Sequence, residues 1–259
     1  KVLYGAVALP IVRYGSTLWY EGAKNILVRR SLMALQRALL LLTTRACRTT
    51  STVAMQVIAG AKPMDLEVVE DALVKRVRRN LSTVWDTYNF REREMERFDE
   101  IVHLEIEKIK EFTTQKWQSA WQAEAHGRLT YEFLQVTTFA NRNKRWFRLN
   151  RFAVYLITGY GPINSTLYKR KLTESNICPV CKAEEETTEH IIFECSEYRN
   201  ERYQELMSCR NRKHELVSSE HMLMKFNDYA KKVFGIRKEK TRRESRGSAS
   251  SWQGRERLD

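Results

Sequence analysis

Residues 178–195 read "CPVCKAEEETTEHIIFEC", a C-x2-C-x8-H-x4-C pattern. Cys178 and Cys181 have the spacing of a tight metal-binding turn, and Pro179 stiffens it. His190 and Cys195 follow on the next segment. Three thiolates and one imidazole suit tetrahedral Zn²⁺, a borderline-soft ion without redox chemistry. Protein would fill all four positions and leave none for water, so the expected metal is structural rather than catalytic. The alternative is chance spacing. Ile191, Ile192 and Phe193 would form a small apolar lid. Cys47 and Cys209 lie outside the pattern and read as plain core thiols.

Outward from the cluster, the chain is 259 residues long with a formal charge of +13 and only five cysteines. An odd cysteine number with three in one cluster argues against a secreted disulfide framework and for a reducing compartment. The expected location is therefore intracellular, in nucleus and cytoplasm. So basic a chain meets nucleic acid or an anionic membrane surface. No apolar run approaches the ~18 residues of a membrane span. Few Gly and Pro and many Leu, Ala, Glu, Lys and Arg favour helices. The first residues, "KVLYGAVALPIVRYG", open mid-pattern without a secretory signal, as if cut from something longer.

The charge is uneven. From Glu21 to Asp65 no acid intervenes, while Lys24, Arg29, Arg30, Arg37, Arg45, Arg48 and Lys62 are basic. Residues 26–42 have a helical period. Val28, Leu32, Leu35, Leu39 and Leu42 share one face, expected to be core, and Arg29, Arg30 and Arg37 share the opposite one. That arginine face is either solvent surface or a phosphate-facing ridge. A short helix capped by Thr52 should end at Gly60. A second, capped by Asp65, carries the stripe Leu66, Val69, Leu73, Val77, Leu81 and Val84.

Residues 86–111 are dense in both charges and read as an exposed connecting helix. Farther on, "RNKRWFRLNR" interleaves Arg142, Lys144, Arg145, Arg148 and Arg151 with aromatics, and Lys169, Arg170 and Lys171 precede the cysteines. Such interleaving can hold phosphates and stack bases. The arginines and lysines read as phosphate contacts. Trp146 and Phe152 read first as core, with Trp146 kept as a contact candidate. The knuckle itself is acidic: Glu184, Glu185, Glu186, Glu189, Glu194, Glu197, Glu201 and Glu205 face only Lys182, Arg199 and Arg202. It reads as a clip that fixes its basic neighbours rather than as the grip. Two helices should follow Cys195, then a polar, basic, disordered tail.

The order of three blocks resembles the C-terminal part of reverse transcriptases from non-LTR retrotransposons, of the arthropod type with an apurinic-type endonuclease. The blocks are "VLYGAVALPIVRYGSTLWY", "LQRALLLLTTRACRTTSTVAMQVIAGAKPMDLEVVEDA" and "RFAVYLITGYGPINSTLYKRKLTESNICPVCKAEEETTEHIIFEC". The second resembles the thumb of that family and the third its zinc-binding region. The resemblance implies a polymerase that copies element RNA onto a nicked DNA primer, with palm carboxylates holding two Mg²⁺ ions. Those carboxylates, and the Mg²⁺ with them, are expected in a fingers and palm region before Lys1; no Asp-Asp pair occurs in this chain.

The expected fold is mainly α. It comprises a thumb-like helical domain (1–90), a charged connecting helix (91–125), a C-terminal domain with the zinc knuckle (126–235) and a disordered tail (236–259). The expected partners are element RNA, target DNA and the missing fingers and palm, with no membrane. The leading reading is a nucleic-acid-binding polymerase fragment without its active site. The others are a stand-alone zinc-clipped RNA-binding or adaptor module, and an enzyme with a site of its own. The closed metal shell counts against the last. Without their palm, Val2, Leu3, Val7, Leu9, Ile11 and Val12 would be an orphaned apolar surface.

Overall fold

The computed structural model describes residues 4–92, 98–138, 147–206 and 212–253, and these are mainly helical. They group into two compact units. The first takes the described residues of Lys1–Thr44, Ser51–Arg128 and Leu134–Asn143; the second takes those of Arg45–Thr50, Leu129–Phe133 and Lys144–Asp259.

The first unit contains α1 (Leu9–Arg13), α2 (Ser16–Trp19), α3 (Ile26–Thr44), α4 (Thr52–Ala59) and α5 (Met64–Arg78). A hairpin of β1 (Thr83–Trp85) and β2 (Tyr88–Phe90) follows, then α6 (Phe98–Ala123). Gly60 ends α4 in a left-handed conformation (φ 65°), as its sequence position requires. On α5, Val68, Val69, Leu73 and Val77 are buried, but the helix stops at Arg78 and leaves Leu81 and Val84 exposed. Val84 lies on β1, in a hairpin that the helical period had concealed; Asp86, at φ 53°, makes its turn.

The core face of α3 is rotated from its leucine stripe, of which Val28, Leu32 and Leu39 are half-buried. Leu35 is 48% exposed and Leu42 76%, whereas Gln36, Leu40 and Thr44 are buried. Gln36 decides the orientation. Its Nε2 donates to the Tyr4 hydroxyl and the Lys62 carbonyl, at 2.7 Å each. Its Oε1 accepts from Gln56 Nε2 at 2.7 Å and from the Met64 N–H at 3.2 Å. A buried amide with its hydrogen bonds met fixes register as firmly as an apolar side chain does. Val7 and Ile11 are exposed, as expected of a surface without a partner, while Val12 is buried.

The α6 helix is no bare connector. Ile106, Ile109, Trp117 and Trp121 are buried, and Trp121 Nε1 donates to the Leu134 carbonyl at 2.9 Å. Thr113 Oγ1 and Lys62 Nζ converge on Glu70.

The second unit contains α7, most of whose residues (Arg128–Phe133) belong here, α8 (Arg151–Thr158), α9 (Asn164–Lys169), α10 (Arg199–Leu206) and α11 (Glu220–Gln253). Asn150 caps α8 by accepting from the Ala153 N–H at 2.8 Å. The α8 helix buries Ala153 through Thr158. Phe226, Tyr229, Ala230 and Val233 form the buried stripe of α11.

The expected disordered tail is corrected for residues 236–253, because α11 continues through them. The composition there lacks an apolar period, but tertiary partners supply what the period does not. Arg237 and Lys240 bond to the cysteine module, and Glu239 pairs with Arg243 one turn on.

Candidate metal centre and nucleic-acid interface

Two short turns bring the cysteine cluster together. In the first, the Cys178 N–H donates to the Glu184 carbonyl at 2.7 Å and the Lys182 N–H to the Cys178 carbonyl at 2.9 Å. Lys182 takes a left-handed conformation (φ 60°), which folds the C-x2-C loop back on itself. The second is a wide helical turn, His190–Glu194. Thr187 Oγ1 accepts from the His190 N–H at 3.0 Å, and the Cys195 N–H closes on the His190 carbonyl at 2.8 Å. Ile191 and Ile192 are buried beneath it, as a lid should be.

One donor atom from each of Cys178, Cys181, His190 and Cys195 lies within 4.8 Å of the other three. Zn–S and Zn–N bonds of about 2.3 and 2.0 Å give tetrahedral edges of roughly 3.5 Å between sulfur and nitrogen and 3.8 Å between sulfurs, so the four atoms fit one zinc after a small adjustment. His190 Nε2 is 3.3 Å from Cys181 Sγ. Its Nδ1 lies 2.9 Å from Glu184 Oε2. That carboxylate holds the ring proton on Nδ1 and turns Nε2, the bare nitrogen, toward the sulfurs. Glu184→Ala should therefore weaken zinc binding by about 10- to 100-fold, as loss of such a carboxylate does elsewhere. Glu184→Gln should keep part of it. Chelator competition measures both, and an unchanged affinity in Glu184→Ala would remove the role.

Burial pushes the Cys178 thiol up to about 12 and raises Cys195 as well. Burial also works to raise Cys181, but the Ala183 and Glu184 N–H groups donate to its sulfur. With help from Cys178 and His190, they bring it down to about 7. The first thiolate to form is thus the one beside the imidazole.

Further side chains grip the carbonyls of these turns. Arg202 donates to Cys195 O at 2.8 Å, Lys240 to Val180 O at 3.2 Å, and the Tyr229 hydroxyl to Ile191 O. The strongest tie is Glu186, whose side chain is fully buried. Arg237 binds it with Nε at 2.7 Å and Nη2 at 2.9 Å, and the Asn164 N–H adds a third bond at 2.6 Å. The acids of the knuckle thus take cations from distant sequence: Glu189 from Lys213, Glu197 from Lys240, Glu205 from Lys232.

The basic candidates fare differently. Arg29 is exposed but paired with Asp65 at 3.1 Å, and Arg37 donates to Thr52 Oγ1 at 2.8 Å. Arg30 is exposed on the same helix. In the second unit, Arg45 and Arg48 are exposed on the segment Arg45–Thr50. Arg170 Nη1 reaches Thr49 Oγ1 at 3.4 Å, which brings that segment beside the end of α9. Arg151 donates to the Tyr155 hydroxyl at 2.9 Å and lies 5.7 Å from the ring centres of Phe152 and Tyr155. Arg148, Lys169 and Lys171 are exposed. Among the described residues, no carboxylate pairs with Arg148, Arg151, Lys169, Arg170 or Lys171. Phe152 stacks on Phe234 at 5.5 Å, in keeping with a packing role. Arg142, Lys144, Arg145, Trp146 and Cys209 lie outside the described residues. Cys47 is only half-buried, and burial raises its thiol. Sequence reading missed Glu184, Glu186 and Arg237 as supports of the cluster. Only the short step from Glu184 to His190 carried any signal.

A closed Cys3His cluster in a helical frame defines a zinc-binding module, and residues 112–200 match the domain described as zinc-binding in reverse transcriptase. The Retrovirus-related Pol polyprotein from type-1 retrotransposable element R1 2 of Nasonia vitripennis is 33% identical over 242 residues, covering 91% of this chain and 58% of that protein. The corresponding protein of element R1 3 from the same insect is 32% identical over 200 residues, covering 73% of this chain and 50% of its own length. That of element R1 from Bradysia coprophila is 29% identical over 247 residues, 91% of this chain and 24% of that protein. The chain thus spans about half the length of the first two relatives and less of the third. Over most of its length it is homologous to the Pol polyproteins of R1 non-LTR retrotransposons of arthropods. No solved structure matches it. Among the described residues, no helix is long and apolar enough to cross a membrane.

Proposed function

We propose that this chain is the nucleic-acid-holding C-terminal part of a retrotransposon RNA-directed DNA polymerase. It grips element RNA and the DNA primer through their phosphate backbones. One Zn²⁺ on Cys178, Cys181, His190 and Cys195 clips the second unit in shape. The polymerase chemistry, with its Mg²⁺ ions, belongs to a fingers and palm region outside this chain. Work on element RNA and on chromosomal target DNA gives the protein business in both cytoplasm and nucleus.

The observation that carries this reading is the division of charge in the second unit. Of the acids of the knuckle, Glu186 is buried on Arg237, and Glu189, Glu197 and Glu205 pair with Lys213, Lys240 and Lys232. Among the described residues, Arg151 of α8 and the cations at the end of α9 have no such acids, and they face solvent. A surface that keeps its cations unpaired is suited to phosphate.

The test is the salt dependence of binding. Each phosphate contact adds about 0.9 to the slope of log affinity against log salt on duplex, and about 0.7 on single strands. Arg148→Gln with Arg151→Gln should lower the duplex slope by roughly 1.8 if both touch phosphate. Glu185→Gln with Glu194→Gln should leave it nearly unchanged. An unaltered slope in the arginine variant, with zinc content intact, would count against the clip reading and return the grip to the knuckle.

A further inference from the structure

The end of α9 carries one group that the phosphate reading does not use. Tyr168 is 49% exposed, and Leu172 beside it is 62% exposed. They border a surface groove of about 670 Å³, also lined by Lys169, Lys171, Thr173 and Glu174. That volume falls in the ~300–1,000 Å³ range of small-ligand clefts. A lone exposed tyrosine is ordinary. This one sits directly before three consecutive exposed cations, Lys169, Arg170 and Lys171. Among the described residues no other ring packs on it.

The backbone holds this arrangement firmly. The Lys171 N–H donates to the Tyr168 carbonyl at 2.8 Å and the Leu172 N–H to the Leu167 carbonyl at 2.9 Å. Lys171 turns left-handed there (φ 57°), which ends the helix and folds the chain back past the tyrosine. Arg170 is directed away from the groove, onto Thr49. The groove keeps an aromatic ring, an aliphatic wall and two ammonium groups.

We infer that this groove binds a single-stranded stretch of nucleic acid, with an unpaired base stacked on Tyr168 and the flanking phosphates on Lys169 and Lys171. The inference rests on the nucleic-acid reading above and adds the form of the ligand. A duplex keeps its bases stacked on one another and cannot offer a face to a side chain, whereas a single strand can. Glu174, at the groove, opposes phosphate and limits the affinity.

The experiment compares the full chain with Tyr168→Ala, Tyr168→Phe, Lys169→Gln with Lys171→Gln, and Glu174→Gln. Each is tested on an unstructured oligouridine, a duplex of matched phosphate number and vesicles rich in anionic lipid. Tyr168→Ala should weaken oligouridine binding by about 5- to 150-fold, the loss of one stacked base. It should leave the salt slope and duplex affinity unchanged, and Tyr168→Phe should bind as the parent does. The lysine pair should lose about 1.4 from the single-strand slope. Glu174→Gln should bind more tightly. An unchanged oligouridine affinity in Tyr168→Ala overturns the inference while leaving the phosphate grip standing. So does an equal loss on both nucleic acids, or a Tyr168 effect confined to vesicles. A parent chain that binds neither nucleic acid overturns the grip and this inference together.

Discussion

Removing zinc should have the largest effect of any perturbation. Cys178→Ser, or a strong chelator, should leave the chain without its one zinc and unfold the turns around residues 178–195. Outside the metal, those turns are held by their own hydrogen bonds and by Arg202, Lys240, Tyr229 and the Glu186–Arg237 pair, which tie them to the helices but leave the two cysteine turns joined to each other mainly through zinc. Structural zinc contributes on the order of several kcal/mol or more to folding where the site does not pre-exist in the unfolded chain. Hydrogen exchange should show lost protection at Ile191 and Ile192 and along the part of α11 that rests on them. Cys47→Ser should retain full zinc. Freshly purified, reduced and folded protein without zinc would end the assignment.

The pH dependence has a definite sign. Zinc takes its sulfurs as thiolates, so binding expels whatever protons they carry. Without the metal, burial keeps Cys178 protonated up to about 12, and Cys195 is raised likewise. Cys181, near 7, is already largely ionised at pH 8. Binding above pH 7 should thus release about two protons, and below it about three. Affinity should fall roughly 100-fold per unit as pH drops toward 7, and more steeply beneath. The zinc contribution to stability is present at high pH and lost as pH falls.

The second large effect is expected at Glu186 and Arg237. Glu186 is fully buried and Arg237 nearly so, with a bidentate bond and the Asn164 N–H completing the set. Deleting one partner leaves the other charge buried and alone, which typically costs about 3–5 kcal/mol. Arg237→Ala should therefore destabilise the second unit by that amount. Arg237→Lys should recover little, because one ammonium cannot replace the two-pronged contact. Glu186→Leu with Arg237→Met should be far milder than either single deletion, since no charge is stranded. Chemical denaturation with zinc present measures all three variants against the parent. A loss under about 1 kcal/mol in Arg237→Ala would show that the pair is screened by solvent.

The helices were legible because their signals are local: period, caps and breakers. The Gly60 stop and the C-x2-C-x8-H-x4-C pattern are of this kind, and each reappears where its residues put it. What failed to show was set by partners far along the chain. The leucine period of α3 is offset from the buried face, because Gln36 takes the central core position through bonds to Tyr4, Gln56, Lys62 and Met64. In the acid-free stretch, Arg29 is paired with Asp65, 36 residues away. The acidic knuckle is balanced by Arg237, 51 residues from Glu186, in a segment whose composition alone suggests disorder. Counting charge in a window cannot see such pairs.

The second unit includes Arg45–Thr50, which lies nearly 80 residues before its next piece, Leu129–Phe133. A ribosome making the chain would finish that six-residue strip early and leave it waiting until the rest emerges. Closing so long a loop slows assembly, although its entropic cost grows only with the logarithm of length. Cutting the gene after α4 to isolate the zinc module would discard Cys47, Thr49 and the buried Thr50. A shortened version that is to keep this unit whole has to carry the strip along, for instance as a circular permutant that joins residues 45–50 to the module by a new linker.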